Sequence, residues 1–110
     1  MPVRSVRKSI DCATKLAVLA DPTRLAVIGV LLGGSHNVKE INRHVRVAQN
    51  LLSHHLRVLR DAEIVTACRD GKAVKYALAD GVEAGSSHNV INLGCCSLEF
   101  KNVQTGKKVS

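Results

Sequence analysis

The most informative stretch of the chain runs from residue 48 to residue 78 and reads AQNLLSHHLRVLRDAEIVTACRDGKAVKYAL. Leu52, Leu56 and Leu59 recur at helical spacing, which predicts a helix over residues 49–61 with one apolar side. Two β-type runs follow, residues 64–69 and 73–78, on either side of Asp70-Gly71-Lys72. An Asp-Gly pair between such runs favours a β-hairpin, because both residues tolerate positive φ. The stretch therefore predicts a helix followed by a hairpin with a basic tip.

A second, shorter helix is predicted just before this one. Asn37 and Glu40 have the spacing of an N-terminal capping pair, which predicts a helix over residues 38–44 and then a four-residue turn. Two short helices joined by a tight turn, the second with a polar and basic outer side, are typical of a helix-turn-helix. A basic-tipped hairpin directly after this motif is a wing.

Two further helices are predicted upstream. Apolar residues at helical spacing, Leu16 among them, indicate a first helix over residues 5–19. Asp21 suits an N-cap and Pro22 the first helical position, so a second helix begins there, turns Leu25 towards the core and ends at Gly33-Gly34. We expect a mainly α fold with a small β-hairpin, a winged helix-turn-helix.

Composition and charge exclude several classes of protein. The 110 residues fit one domain, and 45% of them are hydrophobic, enough for a core. The longest uncharged apolar run is much shorter than the roughly 20 residues of a membrane span, and no secretory leader opens the chain, which favours a cytoplasmic protein. Residues 1–60 carry 10 Lys/Arg against 3 Asp/Glu, a balance that indicates a phosphate-facing surface. A basic protein-interaction module remains an alternative.

The sequence offers no catalytic constellation. Its carboxylates are scattered, it has no Gly-rich phosphate loop, and no Ser-His-Asp set is suggested by context. We therefore expect a binding protein and not an enzyme.

The chain resembles the ArsR/SmtB family of winged-helix repressors over residues 14–79. The resemblance is carried by LADPTRLAVIGVLL (19–32), AQNLLSHHLRVLRDAEIV (48–65) and the Asp-Gly wing. It implies a dimeric bacterial regulator that leaves double-stranded DNA when a metal ion or oxidant binds, with an imperfect inverted repeat as operator. Asn37 and Lys39 stand where the family often has two cysteines, and Ala48 stands where it has an N-capping Ser. The Gly- and Asn-rich tail does not favour the family's long fifth helix, and residues 90–100 are more typical of an extended segment.

The polar side of the helix over residues 49–61 supplies the candidate DNA-binding residues. Gln and Asn pair with adenine edges, Ser and Arg reach bases or backbone, and cations at a wing tip contact phosphates. An ordinary solvated helix side is the alternative. The candidates are Gln49, Asn50, Ser53, His54, Arg57, Arg69 and Lys72. His55 lies with the apolar side and is expected to be a packed structural histidine, whereas Arg24 is either structural or DNA-facing.

The cysteines supply the candidate sensor. Cys95 and Cys96 are adjacent and seldom bond to each other, so a third partner is expected. In the family's fold the first helix packs near the C-terminal element, which makes Cys12 that partner. Three thiolates suit a soft or borderline metal ion (Zn, Cd, As or Cu), and two of the thiols could instead join under oxidation. The alternatives are small buried cysteines and a regulator without a sensor. His88 is a candidate nitrogen ligand, and Cys68 is expected to be packing only.

These expectations divide the chain into three segments. Residues 1–9 form a basic N-terminal arm, residues 10–80 the winged helix-turn-helix DNA-binding domain, and residues 81–110 a C-terminal Cys-containing segment.

Overall fold

A computed structural model of the chain describes residues 12–82 and 89–101. This part of the chain consists of the following elements: α1 (Cys12–Leu19), α2 (Pro22–Leu31), β1 (His36–Asn37), α3 (Val38–His44), α4 (Gln49–Asp61), β2 (Val65–Asp70), β3 (Ala73–Leu78), β4 (Val90–Asn92) and β5 (Ser97–Glu99). The predicted bounds of α3 and α4 are confirmed, as is the end of α1. The expected start of α1 and the basic arm lie outside the described residues.

Side chains cap α2 and α3 as their sequences predict. The Asp21 carboxylate accepts hydrogen bonds from the amides of Thr23 (2.8 Å) and Arg24 (3.0 Å), and Pro22 begins α2. Asn37 and Glu40 form a reciprocal capping box, each side chain accepting from the other's amide at 2.8 and 2.9 Å. The amide of Arg24, then that of Thr23, holds the pKa of Asp21 below its ordinary value.

The core lies between α2, α3, α4 and the sheet. Ile28, Ile41 and Leu56 are fully buried, as are the other leucines on the apolar side of α4. Leu25 corrects the expectation from the sequence, because it is 38% exposed in the single chain, and Leu16 on α1 is 40% exposed. Helical spacing identified an apolar side but not what covers it, and in α2 Val27 and Val30 fill the core instead.

The sheet that contains the wing has one strand more than predicted. Strands β2 and β3 form the expected hairpin, and the two-residue β1 joins it in the antiparallel order β1-β3-β2. Asp70 pairs with Ala73, so the loop is Gly71-Lys72 and not one centred on Asp70-Gly71. Gly71 has φ 69° while Lys72 keeps negative φ, which is the pattern of a turn with glycine at its first central position. The change places Lys72 at the tip.

A second hairpin follows in the C-terminal segment. The expected extended segment is confirmed as β4 and β5, paired antiparallel with Ile91 opposite Leu98. Ile91 and Leu93 are buried, and the amide of Asn92 bonds to the carbonyl of Val82, which anchors this hairpin to the core. The hairpin occupies residues 90–99, where the family resemblance would have placed helix.

No helix among the described residues is both long and apolar enough to cross a membrane.

The Asp21 cap predicts a specific acid sensitivity. A carboxylate whose pKa is lowered in the fold contributes stability above its ordinary pKa and loses it as the pH falls through the folded value. Asp21→Asn keeps an acceptor oxygen that does not titrate. Its thermal unfolding midpoint should therefore fall less than that of the wild type between neutral pH and about pH 3.

Asp80→Asn is the matched control, since Asp80 is exposed in the turn after β3. Its midpoints should follow those of the wild type. Parallel curves for Asp21→Asn and the wild type would show that the cap carries no pH-dependent stability.

Candidate nucleic-acid interface and cysteine cluster

Helix α4 has one buried and one exposed side. Leu52, His55, Leu56 and Leu59 are buried. The five predicted contact residues of this helix are all exposed and share the opposite side: Gln49, Asn50, Ser53, His54 and Arg57. Ala48 provides no side-chain cap, so amides at the start of α4 are not covered by a capping side chain.

His55 is packed, as predicted, and its partner is Arg24. The ring is 7% exposed, and Arg24 Nε donates to His55 Nδ1 at 3.0 Å. Arg24 Nη1 also donates to the carbonyl of Val18 at 3.1 Å. One guanidinium therefore ties the end of α1 to the buried side of α4, which assigns Arg24 a structural role.

The turn between α3 and α4 is shaped by Asn42, which the sequence analysis did not single out. Its side-chain amide donates to the carbonyls of Val45 and Val47, each at 2.9 Å. Both bonds satisfy carbonyls in the turn and fix its course. An Asn in the last turn of a predicted helix is the signal that could have found it.

The wing tip and the start of α4 face a common concavity. Gln49 and Lys72 line an open cleft of about 500 Å³ together with Lys39, an exposed cation. The sequence marks Lys39 only as the replacement of a family cysteine, and its position beside Gln49 is a finding of the structure. Arg69 is exposed on β2 but does not line this cleft.

Cys68 departs from its expectation. It was expected to pack, but its side chain is exposed and free, opposite Lys75 across the wing. Alternation along a strand could not tell which side of the wing is covered.

The other three cysteines come together. Cys12 and Cys95 are joined as a disulfide with their Cα atoms 6.2 Å apart. Cys96 Sγ lies 3.7 Å from Cys12 Sγ and 3.9 Å from Cys95 Sγ. All three sulfurs lie within 4.8 Å of one another, close enough to hold one metal ion when reduced. His88 lies outside the described residues.

The loop between β4 and β5 presents the two adjacent cysteines to α1. The amide of Leu93 donates to the carbonyl of Cys96 at 2.8 Å. Gly94, within the loop that this bond closes, has a positive φ of 94°. Lys15 Nζ donates to the carbonyl of Leu93 at 3.4 Å, a second tie between α1 and this loop that the sequence analysis missed. The cluster thus joins α1 to the loop of the second hairpin through Cys12 and Cys95, which are 83 residues apart in sequence.

The helix-turn-helix of α3 and α4 with the wing of β2 and β3 makes this a winged-helix protein. A model of the bacterial regulatory protein arsR family matches residues 21–67. The transcriptional repressor SdpR of Bacillus subtilis is 31% identical over 74 residues, covering 67% of this chain and 82% of that protein. The chain belongs to the ArsR family of bacterial regulatory proteins.

Two more relatives show the extent of the similarity. The arsenical resistance operon repressor of Staphylococcus aureus is 31% identical over 98 residues, covering 87% of this chain and 94% of that repressor. The transcriptional repressor BigR from Xylella fastidiosa is 34% identical in sequence. Its crystal structure superposes with a TM-score of 0.58, and the match covers 62% of this chain and 67% of the BigR chain.

Proposed function

We propose that the protein is a cytoplasmic transcriptional repressor that lays α4 in the major groove of double-stranded DNA. The observation that carries this proposal is the single exposed polar side of α4, which contains Gln49, Asn50, Ser53, His54 and Arg57. A major groove admits one α-helix, and amide and guanidinium side chains match the edges of bases there. In this proposal residues 10–80 bind DNA, and the sensor combines Cys12 of α1 with the cysteines of residues 81–110.

Cations beside the helix would supply the phosphate contacts. Lys39 and Lys72 line the cleft at the start of α4, and Arg69 is exposed on the wing. A net charge of +7 favours an anionic partner as a whole. Base-reading and phosphate-binding residues should therefore respond differently to substitution.

Gln49→Ala tests the assignment of α4. Loss of a base contact should weaken binding to the cognate operator by about 1–3 kcal/mol and relax sequence preference. Lys72→Ala should instead weaken binding to all sequences and reduce the dependence on salt. Fluorescence anisotropy with cognate and scrambled duplexes at several salt concentrations measures both effects.

Lys101→Ala is the control, because Lys101 is exposed after β5 and has the same charge as Lys72. It should bind like the wild type. Unchanged affinity of Gln49→Ala for the cognate operator would count against this placement of α4.

A homodimer would present two such helices to an imperfect inverted repeat. An open apolar groove of about 340 Å³ lies between α1 and the second hairpin, with Leu16, Leu25, Leu98 and Phe100 among its lining residues. Leu16 and Leu25 are large apolar side chains left exposed in the single chain. A second copy of the chain would cover them, and linked modules bind a two-part site far more tightly than one module does.

Leu16→Glu tests the dimer. Leu16 is 40% exposed, so the monomer should tolerate glutamate, whereas burying that charge between two chains is unfavourable. We expect the wild type to sediment as a dimer at micromolar concentration and Leu16→Glu as a folded monomer. Thr66→Glu, exposed on β2, should remain dimeric. A monomeric wild type, both free and on DNA, would overturn this part of the proposal.

The inducer would be a soft or borderline metal ion (Zn, Cd, As or Cu) or a thiol oxidant that acts on Cys12, Cys95 and Cys96. Their sulfurs lie within bonding reach of one ion, and thiolate suits such metals. Binding to a conformation in which the two copies of α4 no longer match successive grooves would lower DNA affinity by the coupling free energy. The relative from Staphylococcus aureus is named as a repressor of arsenical resistance.

Joint replacement of Cys95 and Cys96 by Ser tests the sensor. Neither residue belongs to α4 or the wing, so the affinity for the operator should be nearly unchanged. Release by Zn(II), Cd(II), As(III), Cu(I) or peroxide should be lost, since a hydroxyl replaces thiolate poorly and forms no disulfide. Cys68→Ser should change neither property. Titrations with the operator duplex, with and without each inducer, measure both properties. Release of the double variant from DNA at the same inducer concentration as the wild type would refute the assignment of the sensor.

One observation favours a second candidate, a winged-helix regulator without a sensor. Cys12 and Cys95 are already joined. In this second candidate the bond has a purely structural role, which is to hold α1 to the second hairpin. In that case the double variant would lose thermal stability, and no metal ion or oxidant would release the wild type from DNA.

A further inference from the structure

The cysteine cluster contains a disulfide and a free thiol in contact with both of its sulfurs. Cys96 Sγ is 3.7 Å from the sulfur of Cys12 and 3.9 Å from that of Cys95. Cys96 is exposed and carries no bond to another sulfur. A thiolate next to a disulfide is the reactant of thiol–disulfide exchange. The same loop therefore offers α1 two alternative partners for Cys12.

We propose that Cys96 exchanges with the Cys12–Cys95 disulfide, so that the oxidised protein interconverts between two isomers and neither offers the three-thiolate metal site. The Cys96 thiolate attacks Cys12 Sγ, the S–S bond to Cys95 breaks, and Cys95 leaves as thiolate while Cys12–Cys96 forms. No electron is gained or lost in this step. It deepens the proposed sensor and rests on it.

The position of the cysteines explains why exchange favours Cys12 over a bond between the two neighbours. Attack on Cys95 Sγ would join adjacent residues, a geometry that disulfides seldom adopt. Attack on Cys12 Sγ joins α1 to the loop as before, and this sulfur is also the nearer one. Both isomers thus keep α1 tied to the second hairpin.

Oxidation and metal binding then compete for the same atoms. Hydrogen peroxide oxidises two thiols to one disulfide and is itself reduced to two molecules of water, leaving a single free thiol in the cluster. Three-coordinate sulfur binding of a soft ion requires all three thiolates. Oxidation by hydrogen peroxide should therefore prevent the cluster from binding metal, whichever isomer is present.

The experiment uses the full chain with Cys68→Ser, which removes the exposed thiol on the wing. Reduced protein is oxidised with hydrogen peroxide, quenched with acid to stop exchange, and labelled with N-ethylmaleimide at mildly acidic pH. Tandem mass spectrometry then locates the label. After incubation at neutral pH we expect it on both Cys95 and Cys96, in one proportion whether hydrogen peroxide or oxidised glutathione closed the disulfide, because exchange and not the oxidant then sets the ratio of the two isomers. Label on Cys96 alone would overturn the proposal.

Single variants in this background make the test independent of isomer populations. Cys95→Ser and Cys96→Ser should each lose both remaining thiols on oxidation, whereas the joint Cys95→Ser/Cys96→Ser variant should form no disulfide within the chain. A Cys95→Ser protein that retains both thiols would show that Cys96 cannot reach Cys12, and would refute exchange.

Titration with Cd(II) tests the competition between oxidation and metal binding, because Cd(II)–thiolate bonds have an ultraviolet charge-transfer absorption. The reduced parent should develop this absorption, and the oxidised parent should lose most of it and regain it after reduction. Equal absorption in both forms would overturn the competition. Because none of these readouts uses DNA, failure of exchange leaves inducer-dependent release to be judged by the operator titrations, and failure of release leaves exchange intact.

Discussion

The apolar side of α4 packs into the core through Leu52, Leu56 and Leu59, and this packing determines which side chains the helix shows to solvent. Each of these leucines is fully buried, and burying one such side chain stabilises the fold by about 1.5–3 kcal/mol. A shift of one residue along the helix would turn it by about 100° and expose them. The exposed polar side, and with it the proposed contact with DNA, follows from this burial.

Helix α1 connects the cysteine cluster to that packed helix. At one end Cys12 is bonded to the loop of the second hairpin, and at the other Val18 accepts from Arg24, which also holds His55 on α4. A change at the cluster that moves α1 therefore has a contiguous set of bonds and contacts through which to reach α4. The disulfide, the Lys15 bond and the Arg24 pair are the particular contacts that give the sensing proposal its physical route.

Local signals in the sequence predicted most of the winged helix. The Asp21-Pro22 start, the Asn37–Glu40 capping box and the apolar spacing of α4 each involve residues within a turn or two of helix. They can therefore be recognised from the sequence alone. What was missed depends on distant partners. Strand β1 has only two residues and exists because His36 and Asn37 pair with β3. The exposure of Leu16, Leu25 and Cys68 likewise depends on which surfaces the rest of the chain covers.

The candidate sites divide in the same way. Helical spacing was sufficient to place the five polar residues of α4 together, whereas Lys39 joined Gln49 and Lys72 only through the packing of α3 beside the wing. The meeting of Cys12 with Cys95 and Cys96 was expected from the family's fold. The bond between Arg24 and His55 could not be expected from spacing, because 31 residues separate the two side chains.

Helix α4, held in place by its buried side, is the part of the protein that we propose to contact DNA. Amide chemical shifts during titration of the reduced, isotopically labelled protein with an operator duplex test this proposal most directly. We expect the largest shifts at Gln49, Ser53, Arg57 and the wing tip around Lys72, with small shifts for β4 and β5. Shifts concentrated on the second hairpin or on α2, with α4 unmoved, would contradict it.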